Sequence, residues 1–525
     1  MIRSIFLSTA LLLFATLGMA KNIYVSTKGS DNNAGTIAAP YASIALAAAQ
    51  TVPGDTVIIR GGTYRLTQQI ALQSGAVGQY ITYKSYPGEN VLIDGDEGYC
   101  FTLQFKDYIA FRGLKMTTSS TKVGAGMIYM EGSNHCLFEY CEFYGMPAES
   151  GRENTAVIRC MGTENGYSNN CIFRNNYFYN NLSPALRLYD TKGWIISNNK
   201  FYNCLQAIGG KDNPYDMLVK HNLIIGSKDA AFYFPLQNGG KNVTITENII
   251  LDSNIAFIIG GLGTNGNMRE NLNVHNNTIH NCTAFIHGWD DQYSTQFKFW
   301  NNIVHADVAL NIGTGADMPA RYLNMNRWNA QSSFNAQHYT FEHNCIHLAE
   351  DEKSLWIVAG NNNYFYDLAS WQTASGLENN SIVDSPAFIN SQEMDFQLHT
   401  DSKCKRAGKN GEDLGAYPRG SDGTVIGIMP HQLYHLAVSD NEQNANKNNY
   451  RVYPNPAFNQ DIHIVGLGTP VSGIKVYNLS GALLYQGTET NSTHTIHNHV
   501  FKSKGIYIIA ITANKQTHHH KLIIR

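Results

Sequence analysis

Two stretches of this chain place cationic, aromatic and acidic residues at matching offsets. Ala185 is followed by Leu186, Arg187, Leu188, Tyr189 and Asp190, and Ala207 by Ile208, Gly209, Gly210, Lys211 and Asp212. Three further segments open alike, at Ala231, Ala256 and Ala284, each followed by Phe. Side chains alternate along a strand, so the column Leu186, Ile208, Phe232, Phe257 and Phe285 must face a core. The residues one and three places further on then face outward. They are Arg187 and Tyr189, Gly209 and Lys211, Tyr233 and Pro235, Ile258 and Gly260. Arg159 joins them if Ile158 is the inward residue of its own segment. Strands stacked about 4.8 Å apart would gather Arg187, Tyr189, Lys211 and Tyr233 into one patch. Aromatic faces stack on sugar rings, and Arg or Lys pairs with carboxylates, so the patch suits an anionic sugar chain. The bland alternative is a solvated face, but such a face rarely gathers two Tyr, an Arg and a Lys among glycines. Asp190 and Asp212 stand at equal offsets from Ala185 and Ala207. They are expected at one edge of the patch, one strand spacing apart, as metal-holding or acid groups.

A second chemical cluster is His287-Gly288-Trp289-Asp290-Asp291-Gln292-Tyr293. By strict alternation from Phe285, His287 points inward and is a core histidine as readily as a functional one. Trp289, Asp290, Asp291 and Tyr293 lie beyond the strand and are expected to be exposed, with Trp289 a sugar contact.

The element that must position these groups is a repeat. A paired step followed by two residues, the second apolar, recurs as Asn175-Asn176-Tyr177-Phe178, Asn198-Asn199-Lys200-Phe201 and His221-Asn222-Leu223-Ile224. It returns as Glu247-Asn248-Ile249-Ile250, Asn276-Asn277-Thr278-Ile279, Asn301-Asn302-Ile303-Val304 and His343-Asn344-Cys345-Ile346. Successive second Asn residues are 23, 23, 26, 29, 25 and 42 apart. A period in the twenties with β-type residues predicts a stacked solenoid, whose long side wall suits a polymer.

Bulk properties narrow the partners. The 525 residues allow two or three domains, and a formal charge of -3 with 15% charged residues leaves no basic footprint for nucleic acid. Residues 1–20 read as a secretory signal: Arg3, the apolar run Ile5 to Leu17, and a small-x-small site at Gly18-Met19-Ala20. No later segment is long and apolar enough to span a bilayer. The nine cysteines are scattered without metal-type spacing, so buried thiols are expected, with one or two disulfides as the alternative.

Residues 21 to about 75 read as an N-terminal cap: a strand at Asn22-Ile23-Tyr24-Val25-Ser26, a short helix from Pro40 to Thr51, and a strand at Val57-Ile58-Ile59. Such a cap shields the open end of a solenoid. From Tyr24-Val25-Ser26 to Gly61-Gly62-Thr63-Tyr64 the sequence resembles the opening of secreted right-handed parallel β-helix polysaccharide lyases. Asp384-Ser385-Pro386-Ala387-Phe388, Asp395-Phe396-Gln397-Leu398 and Asp413-Leu414-Gly415-Ala416-Tyr417 resemble the close of that domain. The expected fold is therefore all-β, a right-handed parallel β-helix over 21–418. Residues 419–449 read as a polar, Asn-rich linker. Residues 450–525 hold Tyr453-Pro454-Asn455-Pro456, Val476-Tyr477-Asn478-Leu479-Ser480-Gly481 and Lys504-Gly505-Ile506-Tyr507 before a terminal Lys521-Leu522-Ile523-Ile524-Arg525. This module resembles the type A C-terminal sorting domain of the type IX secretion pathway. The resemblance implies a small β-sandwich, the type IX machinery as partner, and export across a Gram-negative outer membrane to the cell surface or medium. A monomer is expected. His518-His519-His520 is read as an exposed sequence accident rather than a metal tract.

Three functions compete. A lyase removes the proton beside a uronate carboxylate and expels the 4-linked sugar, which requires a base and a cation at the carboxylate. Lyases of this architecture resemble one another in a Lys base on an outward strand and acidic groups on adjacent rungs holding Ca²⁺. That resemblance assigns Lys211 as base and Arg187 as carboxylate partner. Tyr189, Tyr233 and Arg159 become substrate contacts, and Asp190 and Asp212 possible Ca²⁺ ligands with Asn213. The Glu-x-Glu pair of chondroitinase-like and alginate-lyase-like relatives is absent, Cys204 and Gln206 standing there. Their Arg on the next rung is replaced by Tyr233, Phe234 and Pro235. A glycoside hydrolase would instead pair Asp190 with Asp212 about 5 Å apart. A non-catalytic glycan-binding protein would need only the aromatic and basic patch.

Overall fold

A computed structural model describes residues 20–416 and 450–524. Outside the described set within them are 96–98, 119–125, 149–154, 164–165, 237–238, 261–268, 290–295, 308–321, 325–334, 349–356, 360–362, 366, 392–393, 454–460, 467–470, 479–482, 488–492, 502–504 and 514–515. The linker, nearly all of the signal segment, Asp290, Asp291, Tyr293 and the Trp289 side chain therefore lie outside the described residues.

The paired step explains the rung. Its first residue is left-handed throughout: Asn175, Asn198, His221, Glu247, Asn276, Asn301 and His343 have φ of 57°, 54°, 55°, 55°, 54°, 56° and 54°. Asn reaches this region more easily than most residues because its short polar side chain bonds locally. The bend turns the second Asn into the core, where Asn176, Asn199, Asn222, Asn248, Asn277, Asn302 and Asn344 are fully buried. Each amide is satisfied by the next rung. The backbone N–H groups of Asn176, Asn199, Asn222 and Asn248 donate to the Oδ1 of the following ladder Asn at 2.9, 3.0, 2.9 and 3.0 Å. Each Nδ2 also donates to a carbonyl at the end of a preceding strand, as Asn222 does to Ile196 at 2.9 Å. Burial without such partners would cost a few kcal/mol per amide. At the far end the Glu378 carboxylate accepts from Asn344 Nδ2 at 3.0 Å and from Tyr322 and Ser381. Burial pushes the Glu378 carboxyl above its ordinary range.

A short strand follows each corner, from Gly62–Leu66 to Cys345–Leu348, with the Asn step preceding those from Tyr177–Tyr179 onward, and these strands stack in parallel as one face. Two further parallel stacks complete each turn. One runs from Ile81–Ser85 through Ile172–Arg174 to Tyr339–Glu342. The other runs from Phe101–Gln104 through Leu186–Lys192 and Gln206–Tyr215 to Ile357–Ala359. The chain is thus the expected parallel β-helix. Its core stacks like residues, as in Phe138 on Phe173 at 4.5 Å and Phe178 on Phe201 at 4.9 Å.

The ends differ from expectation in detail. The cap helix covers only Ile44–Ala49, because Tyr41 instead pairs with Val25 and Ser43 caps the first turn through Leu46 N–H. The closing segment folds back along the flank. Phe396, Leu398, Leu414 and Ala416 bury against Ile249, Leu251, Ile303 and Cys345. All nine cysteines are buried and free, so the disulfide alternative fails. The C-terminal module has an antiparallel three-stranded and an antiparallel four-stranded sheet that share one core, the small sandwich expected.

Candidate functional site

Pairing on the Leu186–Lys192 face runs Thr102, Tyr129, Arg159, Arg187, Gly209, Tyr233, Ile258, His287 and Asn324 in register. Ile158, Leu186, Ile208, Phe232 and Phe257, one place earlier, lie in the core. The outward column is thus continuous, and Arg159 extends it as expected. The rung at Ala284 departs from the sequence alignment. Phe257 pairs with Ile286 rather than Phe285, and Ile258 with His287. His287 therefore belongs to the outward column, not the inward one. One residue of slip reverses every side chain.

Gly209 shapes the middle of this column. It leaves space between Arg187 and Tyr233, two rungs apart, and the guanidinium lies 5.6 Å from the Tyr233 ring centre. Inward, Gly210 makes room for Phe234, whose ring would meet an added Cβ at 2.5 Å. Between Gly210 and Asp212 the register shifts by one, a β-bulge holding Lys211 as the extra residue. Bulges re-aim side chains. Here the Lys211 ammonium comes 5.7 Å from the centre of the Tyr189 ring, and Arg159 lies 5.6 Å from the same ring. Arg187 hydrogen-bonds Tyr189 as well. Three cations thus converge on one phenol. Burial raises the Tyr189 pKa against the pull of Arg187 and Arg159.

The patch is less open than alternation alone implies. Arg187 and Tyr189 are each only 6% exposed, whereas Arg159, Lys211, Asp212 and Tyr233 are half-buried. Arg187 is held from below: its Nη2 donates to Gln206 Oε1 at 2.7 Å, and Gln206 Nε2 donates to Asp229 Oδ2 at 2.6 Å. The sequence reading noted Gln206 only as a missing Glu and overlooked Asp229, which lies in the turn before the next strand. Tyr129, at the other end, was also overlooked. Its hydroxyl donates to Glu131 at 2.9 Å, and burial first, then that carboxylate, pushes its pKa up to about 12.

The bulge also corrects the expected acidic pair. Tyr189 pairs with Asp212, so Asp190 stands beside Asn213, whose Nδ2 donates to Asp190 Oδ1 at 2.7 Å. Asp190 and Asp212 are thus not equivalent positions. Asp190 and Asp212 offer oxygen donors of the kind a hard cation such as Ca²⁺ takes, whereas Asn213 turns its amide N–H toward Asp190. The two carboxylates supply fewer than the six to eight oxygens it takes, leaving the rest to water or substrate.

A family model described as "Pel9A-like, right handed beta helix region" matches residues 23–304, and one described as "Secretion system C-terminal sorting domain" matches 451–525. The chain is 25% identical over 452 residues to "Uncharacterized protein YwoF" of Bacillus subtilis (strain 168), covering 74% of this chain and 93% of that one. It is 32% identical over 160 residues to "Pectate lyase PEL9" of Emericella nidulans, but only 30% of this chain and 34% of that protein align. Among solved structures, that of pectate lyase Pel9A superposes with a TM-score of 0.42 at 18% identity, covering 76% of this chain and 96% of the other. The sorting domain marks the protein for export to the cell surface or beyond in Gram-negative bacteria. With the family match spanning more than half of its length, the chain belongs to the Pel9A-like right-handed β-helix proteins and ends in a type IX secretion sorting domain.

Proposed function

We propose that the protein is a polysaccharide lyase that cleaves a uronate-containing glycan by β-elimination. The observation that carries this reading is the convergence of Arg159, Arg187 and Lys211 on Tyr189 along one outward strand stack. A uronate carboxylate needs positive charge before the adjacent carbon gives up its proton. Arg187, oriented by Gln206, supplies that charge, and Arg159 adds to it. Lys211, presented by the bulge, takes the proton. The electron pair forms the new double bond and expels the 4-linked oxygen, which takes a proton from water as it leaves. Tyr189 and Tyr233 bound the sugar face, and Trp289 belongs to the same strand stack two places beyond His287. Ca²⁺, held by Asp190 and Asp212, would add charge at the carboxylate.

The test is a panel of uronic-acid polymers incubated with the purified full-length protein, with and without chelator. Products absorbing in the near ultraviolet are expected. New reducing ends without that absorbance would replace the reading with hydrolysis. Retention on immobilised polymer without products would replace it with glycan binding.

A further inference from the structure

On the Asn-corner face, away from this site, three histidines occupy one register column: His280 pairs with His305 and His305 with His347. The His280 and His305 rings stack at 5.0 Å, nearly parallel, and both residues are at least 95% buried. Their Nδ1 atoms are 2.9 Å apart, and Asp307 closes the group. Its Oδ2 lies 3.3 Å from His280 Nε2 and its Oδ1 lies 3.4 Å from His305 Nε2. The folded-back closing segment covers it with the edges of Phe388 and Phe396. Asp307 remains a third exposed and leaves a way in.

The proton count leaves one ring nitrogen bare. Two neutral imidazoles carry two ring protons, and the Nδ1–Nδ1 contact uses one. The other can stand on only one Nε2, so the second Nε2 turns a lone pair toward a carboxylate oxygen. Asn281 identifies which. Its Oδ1 accepts from Asp307 N–H at 2.9 Å, so its Nδ2 faces His280 Nε2 at 3.0 Å. An amide N–H beside it makes His280 Nε2 the bare nitrogen, 3.3 Å from a carboxylate oxygen. That nitrogen accepts the Asn281 amide N–H and stands beside the carboxylate, so a cation that displaces the amide meets both donors.

We infer that His280, His305 and Asp307 form a binding site for a divalent first-row transition ion such as Zn²⁺. Asp307 sets one carboxylate oxygen 3.3 Å from His280 Nε2 and the other 3.4 Å from His305 Nε2, and one ligand atom from each of the three residues lies within 4.8 Å of the others. Two neutral imidazoles and one carboxylate are a borderline-soft donor set that excludes Ca²⁺ and Mg²⁺. Loading moves the His305 proton from Nε2 to Nδ1 and breaks the Nδ1–Nδ1 hydrogen bond, so the two rings separate. No net proton is lost. Water completes the coordination through the Asp307 opening. The ion fastens the closing segment to the solenoid flank, where Ser391 already reaches Asp307.

Chelator-treated full-length protein titrated with Zn²⁺ in a calorimeter tests this. One equivalent should bind, and Co²⁺ in its place should give the visible absorption of a tetrahedral site. The melting temperature should rise with Zn²⁺. Asp307→Asn, at a partly exposed position that folding tolerates, should weaken binding at least about tenfold, the low end for outer-shell losses at metal sites. It should also abolish the Co²⁺ spectrum. A variant with His518, His519 and His520 all changed to Ala should bind as the parent does. The inference is overturned if no equivalent binds, if D307N binds Zn²⁺ as tightly as the parent, or if the terminal triple variant is the one that loses it.

Discussion

The Asn corner and the outward column are built from the same rungs and obey opposite rules. At the corner seven successive rungs repeat a left-handed residue and a buried Asn, so each amide inside the ladder meets an identical amide above and below. Along the column the residue type changes at almost every rung, from Tyr129 through Arg159, Arg187, Gly209, Tyr233 and Ile258 to His287. The corner shows how repetition satisfies buried polar groups. The column shows how variation at a fixed address gathers unlike groups for chemistry. The bulge at Lys211 is tolerated because it lies on the varied face and leaves the corner's register untouched.

Four perturbations test this contrast. The largest effect is expected on the varied face: Lys211→Ala should lower turnover by about 10²–10⁴-fold, the usual contribution of a positioned base. Its unfolding curve should overlay that of the parent, and full activity in it would refute the role of Lys211. On the repetitive face the effect should be inverted. Asn222→Ala orphans the Asn199 amide and the Ile196 carbonyl and should cost about 2–5 kcal/mol in denaturant unfolding. A loss under about 1 kcal/mol would mean the ladder is dispensable. Third, Gln206→Leu removes the support of Arg187 and should cost about tenfold in kcat/KM, since a bond to a charged group is worth about 1.5–3 kcal/mol. Unchanged kinetics would remove Gln206 from the site. The smallest change is at neither face. Asp367 caps the helix Leu368–Ser375 through Ser370 N–H at 2.7 Å, and its carboxyl is held below the ordinary value of 3.8 by the Ser370 hydrogen bonds. Its stabilisation is complete above that pH and disappears as pH falls below it. Asp367→Ala should therefore cost about 1 kcal/mol at neutral pH and nothing once the parent carboxyl is protonated, as read by thermal melts across pH.

The solenoid was legible because its signal is local. The paired step states both the left-handed bend and the buried amide, and Ala185, Ala207, Ala231 and Ala256 mark a common strand start. The Arg159–Arg187–Tyr233 column followed from alternation alone. Alternation failed where the count of residues between rungs changed. Lys211 is an inserted residue, so Asp190 and Asp212 lost their equivalence, and the slip at Ala284 turned His287 outward. Partners reached through turns, such as Asp229 beneath Gln206, carry no periodic mark.

From the residues alone came the architecture and the shortlist of cations and tyrosines, because a buried polar repeat and a two-residue pleat constrain each segment without reference to any other, while the export module came from its resemblance to a known sorting domain. Register, burial and company came only from folding. Whether Arg187 is open or 6% exposed, and which of its neighbours hold it, depends on how separate rungs are seated against one another. That seating is a sum of contacts over the whole stack, and a single bulge on one rung changes it for the residues that follow.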